Sequence, residues 1–385
     1  MMETELIVKL GSMVGGGFAD RSKVDGLFVP CGSLSILYAL QVARYRACPA
    51  VKTKGNAACP GLCAFVSDES HYSYKKSCSL LGLGSDNLYR VPSDPSTGAM
   101  DPEALRTMLA DAVAKGERPF FVGCTAGTTV LGAFDPFADV RAVIDEFNAA
   151  QTAKQGGEAS IEDGDPGVWM HVDGAWGGSA IFSEREKNKW MKGVEGTDSF
   201  CTNPHKMMGC TLQCCCFMTR HPNLLMAANG ANAAYLFQPD KENTELDYGD
   251  KTIQCGRKVD TFKLWLMWKY LGDAGLEAKE ENKSLEAKFK ESEARVKELE
   301  GQLAAGSSAA GAAGAFAAHL AREAAPQGRA KMWRELATQI KAKANDGKAT
   351  DRRGRKLLQE GREELGGEAS SNKEEVASAK LHLRR

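Results

Sequence analysis

An alternation of short apolar runs with helical stretches restricts the fold of this chain more than any other feature. Leu62 to Val66, Pro119 to Val122, Trp169 to Val172 and Leu212 to Met218 read as strands. Helical signals stand between them. The clearest opens at Asp101-Pro102, a cap followed by a first-turn proline, after which Leu105, Met108, Leu109, Ala112 and Val113 recur at helical spacing. Apolar runs this short suit strands covered on both faces, so the pattern predicts an α/β chain built on a mostly parallel, mixed sheet flanked by helices.

Composition narrows the classes of function. A net charge of -1 over 385 residues gives no electrostatic basis for binding nucleic acid or an anionic membrane surface, and 43% apolar content supports a sizeable core. No apolar run reaches the length of a membrane helix, and Met1 to Lys9 lacks the basic start and apolar centre of a secretory leader. A cytoplasmic protein is therefore expected. The twelve cysteines lie between Cys31 and Cys255 without a regular framework and are read as reduced thiols. Cys59 and Cys63 resemble half of a zinc site, but no second pair answers them, and no metal is predicted.

The chemistry is concentrated in two segments. Asn203-Pro204-His205-Lys206-Met207-Met208-Gly209 places a lysine in a turn preset by proline, whereas a lysine taken at random is a solvated surface residue. His171-Val172-Asp173-Gly174-Ala175-Trp176 places an aspartate at the carboxyl end of a predicted strand, where open α/β sheets bind ligands. Asp173 read alone also suits an N-cap or a metal ligand, though no histidine or carboxylate cluster accompanies it. Together the two segments supply an amine able to form a Schiff base and a carboxylate able to keep a pyridine nitrogen protonated.

These segments are joined by Ser70-His71-Tyr72-Ser73, Thr125-Ala126-Gly127-Thr128-Thr129, Tyr235-Leu236-Phe237-Gln238-Pro239-Asp240-Lys241, and the stretch from Gly249-Asp250-Lys251 to Trp268. In this order the motifs resemble the group II pyridoxal-phosphate-dependent amino acid decarboxylases, in the branch of glutamate decarboxylase and cysteine sulfinate decarboxylase. The resemblance runs from about Asp25 to about Lys288. It implies the large domain of the aspartate aminotransferase-like (type I) fold, pyridoxal 5'-phosphate as cofactor, and a homodimer with shared active sites.

Residue by residue, the resemblance makes Lys206 the amine that holds the cofactor and Asp173 the partner of its ring nitrogen. It sets His71 against the ring face, with a possible part in proton transfer, and makes Tyr235 the proton donor to the α-carbon. Ser33, Leu34 and Ser35 fall where the phosphate is held, at the start of a predicted helix reaching about Arg46. Thr129 matches a cofactor contact, Ala175 a small residue under the ring, and Asn203 and His205 positions near the phosphate and the lysine. Cys31 and Ile36 depart from the glycine and asparagine usual in relatives, and the cysteine restricts the turn if that turn needs a positive φ.

The flanks differ from the family. The resemblance leads one to expect a longer segment before Asp25, contributing to the dimer and the pocket, and a small carboxyl-terminal domain with a substrate-binding arginine; no such arginine motif follows Lys288. Residues 1–272 are expected to form the cofactor domain, with a surface insertion at 151–167. Residues 273–305 are expected to be an amphipathic helix and 306–385 a low-complexity charged tail. The function expected is decarboxylation of an amino acid, an acidic one such as glutamate, cysteine sulfinate or aspartate. A cofactor-binding chain without turnover, and an interaction protein acting through its helical tail, are the alternatives.

Overall fold

The central strands of the sheet are covered on both faces, and the side chains of several divide between two apolar layers. Along β5 (Trp169–Gly174), Met170 and Val172 enter one core cluster and Trp169 the other. The same alternation occurs in β7 (Cys215–Thr219), where Cys216 and Met218 oppose Cys215 and Phe217. The computed structural model describes residues 1–155, 167–233 and 248–281. Tyr235, most of the 151–167 insertion, the expected amphipathic helix beyond 281 and the 306–385 tail lie outside the described residues.

The remaining strands are β1 (Asp25–Val29), β2 (Leu62–Ser67), β3 (Leu88–Val91), β4 (Arg118–Thr125) and β6 (Ser199–Thr202). They form one sheet in the order β1-β7-β6-β5-β4-β2-β3. From β6 to β3 all neighbours are parallel, whereas β7 is antiparallel to both β6 and β1. Thr125, Asp173 and Cys201 lie abreast on β4, β5 and β6. Their register brings three polar strand ends to the carboxyl edge of the parallel part.

The helices are α1 (Met2–Val14), α2 (Gly32–Ala47), α3 (Val51–Lys54), α4 (Ser73–Leu80), α5 (Pro102–Ala114), α6 (Phe137–Gln155), α7 (Glu184–Trp190), α8 (Leu224–Asn229) and α9, over residues 260–281. Asp101 caps α5 as its sequence predicts, accepting from the amides of Glu103 and Ala104, with Pro102 in the first turn. Leu6, Ile7, Leu10 and Val14 bury one side of α1 in the same layer as α5 and α6, while α2 and α4 pack in the opposite layer.

Three expectations need correction. Gln151 to Gln155 complete α6 instead of beginning a surface loop. The run from Leu212 to Met218 becomes a strand only at Cys215, since Leu212 is 70% exposed in the preceding loop. Cys48 and Cys59 are joined in a disulfide with Cα atoms 6.5 Å apart, so the chain is not all thiol; the turn after α2 folds the two together, which their spacing alone did not disclose. The other cysteines are free.

Candidate active site

Asp173 owes its position to the end of β5, where the strand stops and its carboxylate meets the next turn. It is 4% exposed, and its Oδ1 accepts from the Ala175 amide at 3.0 Å and from the Cys201 thiol at 3.4 Å. Burial raises the Cys201 thiol well above its usual range, and the neighbouring carboxylate adds to this, so Cys201 remains a donor. Among the described residues Asp173 forms no ion pair. A buried carboxylate without a cation is costly unless an occupant supplies the positive charge.

Lys206 stands in the loop between β6 and β7. Its amide donates to the Asn203 carbonyl at 2.8 Å, the Gly209 amide donates to the Lys206 carbonyl at 3.1 Å, and the Cys210 amide returns to Pro204 at 2.9 Å. Gly209 turns the chain with φ +67°, a conformation costly for other residues. The ammonium of Lys206 lies 5.8 Å from the centre of the Trp176 ring. His205 is braced against the other wall of the loop, its Nδ1 2.8 Å from the Cys214 backbone nitrogen and 2.6 Å from its carbonyl oxygen.

Both residues open into a cavity of about 230 Å³. Ser33, His71, Thr129, Ala175, Asn203 and His205 line it with them. Leu34 and Ser35 do not. Leu34 packs against the core, and the Ser35 hydroxyl lies 3.0 Å from the Cys215 sulfur, while both their amides return to the Cys31 carbonyl. The start of α2 therefore offers the cavity Gly32 and Ser33 instead. A Cβ at Gly32 would come within 3.0 Å of Ala175, so the small residues here set the width of the cleft.

Thr125 and Trp176 also line the cavity, although only their surrounding motifs, not the residues, were singled out in the sequence. Thr125 Oγ1 and Asn203 Oδ1 are buried without a hydrogen-bond partner, and both belong to cavity residues. Such atoms mark places where a polar ligand is to be met. His71 is half-buried, and burial lowers its pKa; Asp173 opposes this, while Lys206 and Lys76 assist it. The arrangement joins a primary amine, a carboxylate without an ion pair among the described residues, an imidazole and a helix start in one cleft, a set that fits a phosphorylated pyridine aldehyde.

The family model described as the pyridoxal-dependent decarboxylase conserved domain matches residues 1–303. The acidic amino acid decarboxylase GADL1 of Xenopus tropicalis is 42% identical over 255 residues, 66% of this chain and 46% of the relative. The crystal structure of mouse CSAD superimposes with a TM-score of 0.62 at 38% identity, covering 78% of this chain and 55% of that one. The Oryza sativa TDC structure with PLP and tryptamine has a TM-score of 0.59 at 27% identity, covering 72% and 54%. The fold is thus aspartate aminotransferase-like. The chain spans about half the length of the curated relatives it matches.

Proposed function

The chain belongs to the pyridoxal-dependent decarboxylase family, and we propose that it binds pyridoxal 5'-phosphate at Lys206 and removes a carboxyl group from an acidic amino acid. The observation that carries this reading is the buried Asp173 carboxylate, without an ion pair among the described residues, in the same cavity as the Lys206 amine. When bound, the cofactor supplies an aldehyde for that amine and a cationic ring that accepts the electrons released as carbon dioxide leaves.

The chain's own groups divide the rest. Asp173 would hold the proton on the ring nitrogen, Ala175 would leave room for the ring, and the backbone amides of Gly32 and Ser33 at the start of α2 would take the phosphate. Thr125 and Asn203 supply their unpartnered oxygens to the occupant. His71 covers the open face. Tyr235, outside the described residues, is assigned the proton delivered to the α-carbon. The likeness to GADL1 and CSAD, at higher identity than to TDC, supports an acidic substrate.

The same reading assigns residues 1–272 to the cofactor domain and makes the working form a cytoplasmic homodimer. Among the described residues no helix is long and apolar enough to cross a membrane. Addition of pyridoxal phosphate to the purified chain tests the proposal: a visible absorbance band is expected, and its loss in Lys206→Ala. Carbon dioxide release from glutamate, aspartate or cysteine sulfinate is expected in the same tube. A band without release from any amino acid would reduce the activity to cofactor binding, and no band would refute the site.

A further inference from the structure

Ser73 has no part in the site described above, yet its side chain connects two of the cavity's residues. It is fully buried at the first position of α4, with its Oγ 2.6 Å from the Ser33 hydroxyl and 2.8 Å from Nδ1 of His71. A third bond fixes the direction of these two. The backbone N–H of Ser73 also points at Nδ1, at 3.3 Å. An amide N–H has no acceptor to offer, so Nδ1 must be the acceptor and carries no proton. The Ser73 hydroxyl therefore gives its one proton to Nδ1, and the Ser33 hydroxyl gives its own to Ser73. In the neutral ring the remaining proton stands on Nε2.

We propose that Ser73 is a positioning residue that fixes His71 as its Nε2–H tautomer, at the end of a one-way relay from Ser33 through Ser73 to the ring. The relay begins at the helix start assigned to the phosphate and ends on the ring assigned to the cofactor face, so its meaning for catalysis rests on the proposed cofactor site. Its hydrogen bonds do not.

The consequence is chemical. A ring whose Nδ1 is occupied by two donors meets the cavity as a hydrogen-bond donor and not as a base. The charged groups facing it are Asp173 from the end of β5, Lys206 from the β6–β7 loop and Lys76 from α4 itself. Burial, Lys206 and Lys76 favour the neutral ring, and Asp173 favours the charged one. Both donors from Ser73 act with the first group, since the bonds they make are available only while Nδ1 is free.

Nitrogen-15 NMR of the full chain, histidine-labelled and free of cofactor, decides the matter. The His71 signals are expected to show an unprotonated Nδ1 and a protonated Nε2 at neutral pH. Ser73→Ala keeps the backbone N–H but loses the hydroxyl, and is expected to raise the His71 pKa by about half a unit to one unit, the size of one ordinary hydrogen bond, with Nδ1 still the favoured acceptor. Ser33→Ala, at a half-buried position, is expected to produce a smaller shift in the same direction. A proton on Nδ1 in the unsubstituted chain, or an unchanged His71 in Ser73→Ala, overturns the proposal. Should Ser73→Ala fail to fold, an unchanged titration in Ser33→Ala overturns it. Absence of a visible band with pyridoxal phosphate would refute the cofactor site while leaving these signals as they are.

Discussion

Asp173 and Asp198 stand at opposite ends of the same sheet, each 4% exposed, and they are treated in opposite ways. At the amino end, Asp198 accepts from the Met170 amide and from Arg220 at 2.9 Å, lies 2.9 Å from Nε2 of His221, and meets Arg141 at 3.3 Å. Burial alone would raise its pKa, but the His221 hydrogen bond and the Arg220 charge outweigh it and hold the carboxylate well below its usual range. At the carboxyl end Asp173 has only an amide and a thiol. A carboxylate enclosed by its own cations serves the fold. One left without them awaits a cation from outside.

Substitution should separate the two roles. Asp198→Ala removes the carboxylate shared by Arg220, Arg141 and His221 and is expected to cost about 3 kcal/mol of stability in urea denaturation; a loss well under 1 kcal/mol would break the comparison. Since the folded-state pKa of Asp198 is depressed, its contribution is present above the unfolded value of about 3.9 and disappears as pH falls further. The unsubstituted chain should therefore lose stability below about pH 4 more steeply than Asp198→Asn, and parallel acid profiles would count against the ion cluster.

Asp173→Asn should reverse the pattern. Cofactor affinity, followed by absorbance titration, is expected to weaken by about 2 kcal/mol, the worth of a hydrogen bond to a charged partner. The cofactor-free protein should unfold at no lower urea concentration than the original, because asparagine keeps the acceptor oxygen and no ion pair is lost. Lower stability would mean that Asp173 also supports the fold. The smallest effect belongs to Arg220→Met. Arg220 is 32% exposed, and solvent screening limits the expected loss to about 1 kcal/mol in the same denaturation assay.

Long apolar runs and unbroken motifs were legible in the sequence. β2, β4, β5 and α5 are legible because several successive side chains of each enter a core; Lys206 and Asp173, each marked by a local segment, line one cavity. β6 escaped notice: Ser199 to Thr202 has a single large apolar residue, and only pairing with β5 and β7 makes it a strand. Cys201 escaped for the same reason, since its thiol reaches Asp173 through strand register and not through sequence proximity. Ser73 stood inside a recognised motif, yet its bond to Ser33 joins residues brought together by the packing of α2 and α4. Of the three residues expected at the helix start, Ser33 lines the cavity, whereas helix geometry turns Ser35 inward toward β7.

The antiparallel direction of β7 affects how the site can assemble. Because β7 pairs directly with β6, the loop carrying Lys206 is closed by strands that are close in sequence. Asp173 and Ser33 reach their places only through parallel crossovers and the distant pairing of β1 with β7. Closing a short loop costs less chain entropy than closing a long one, and local pairings form sooner. During folding the lysine loop can therefore be in place before the pocket around it exists.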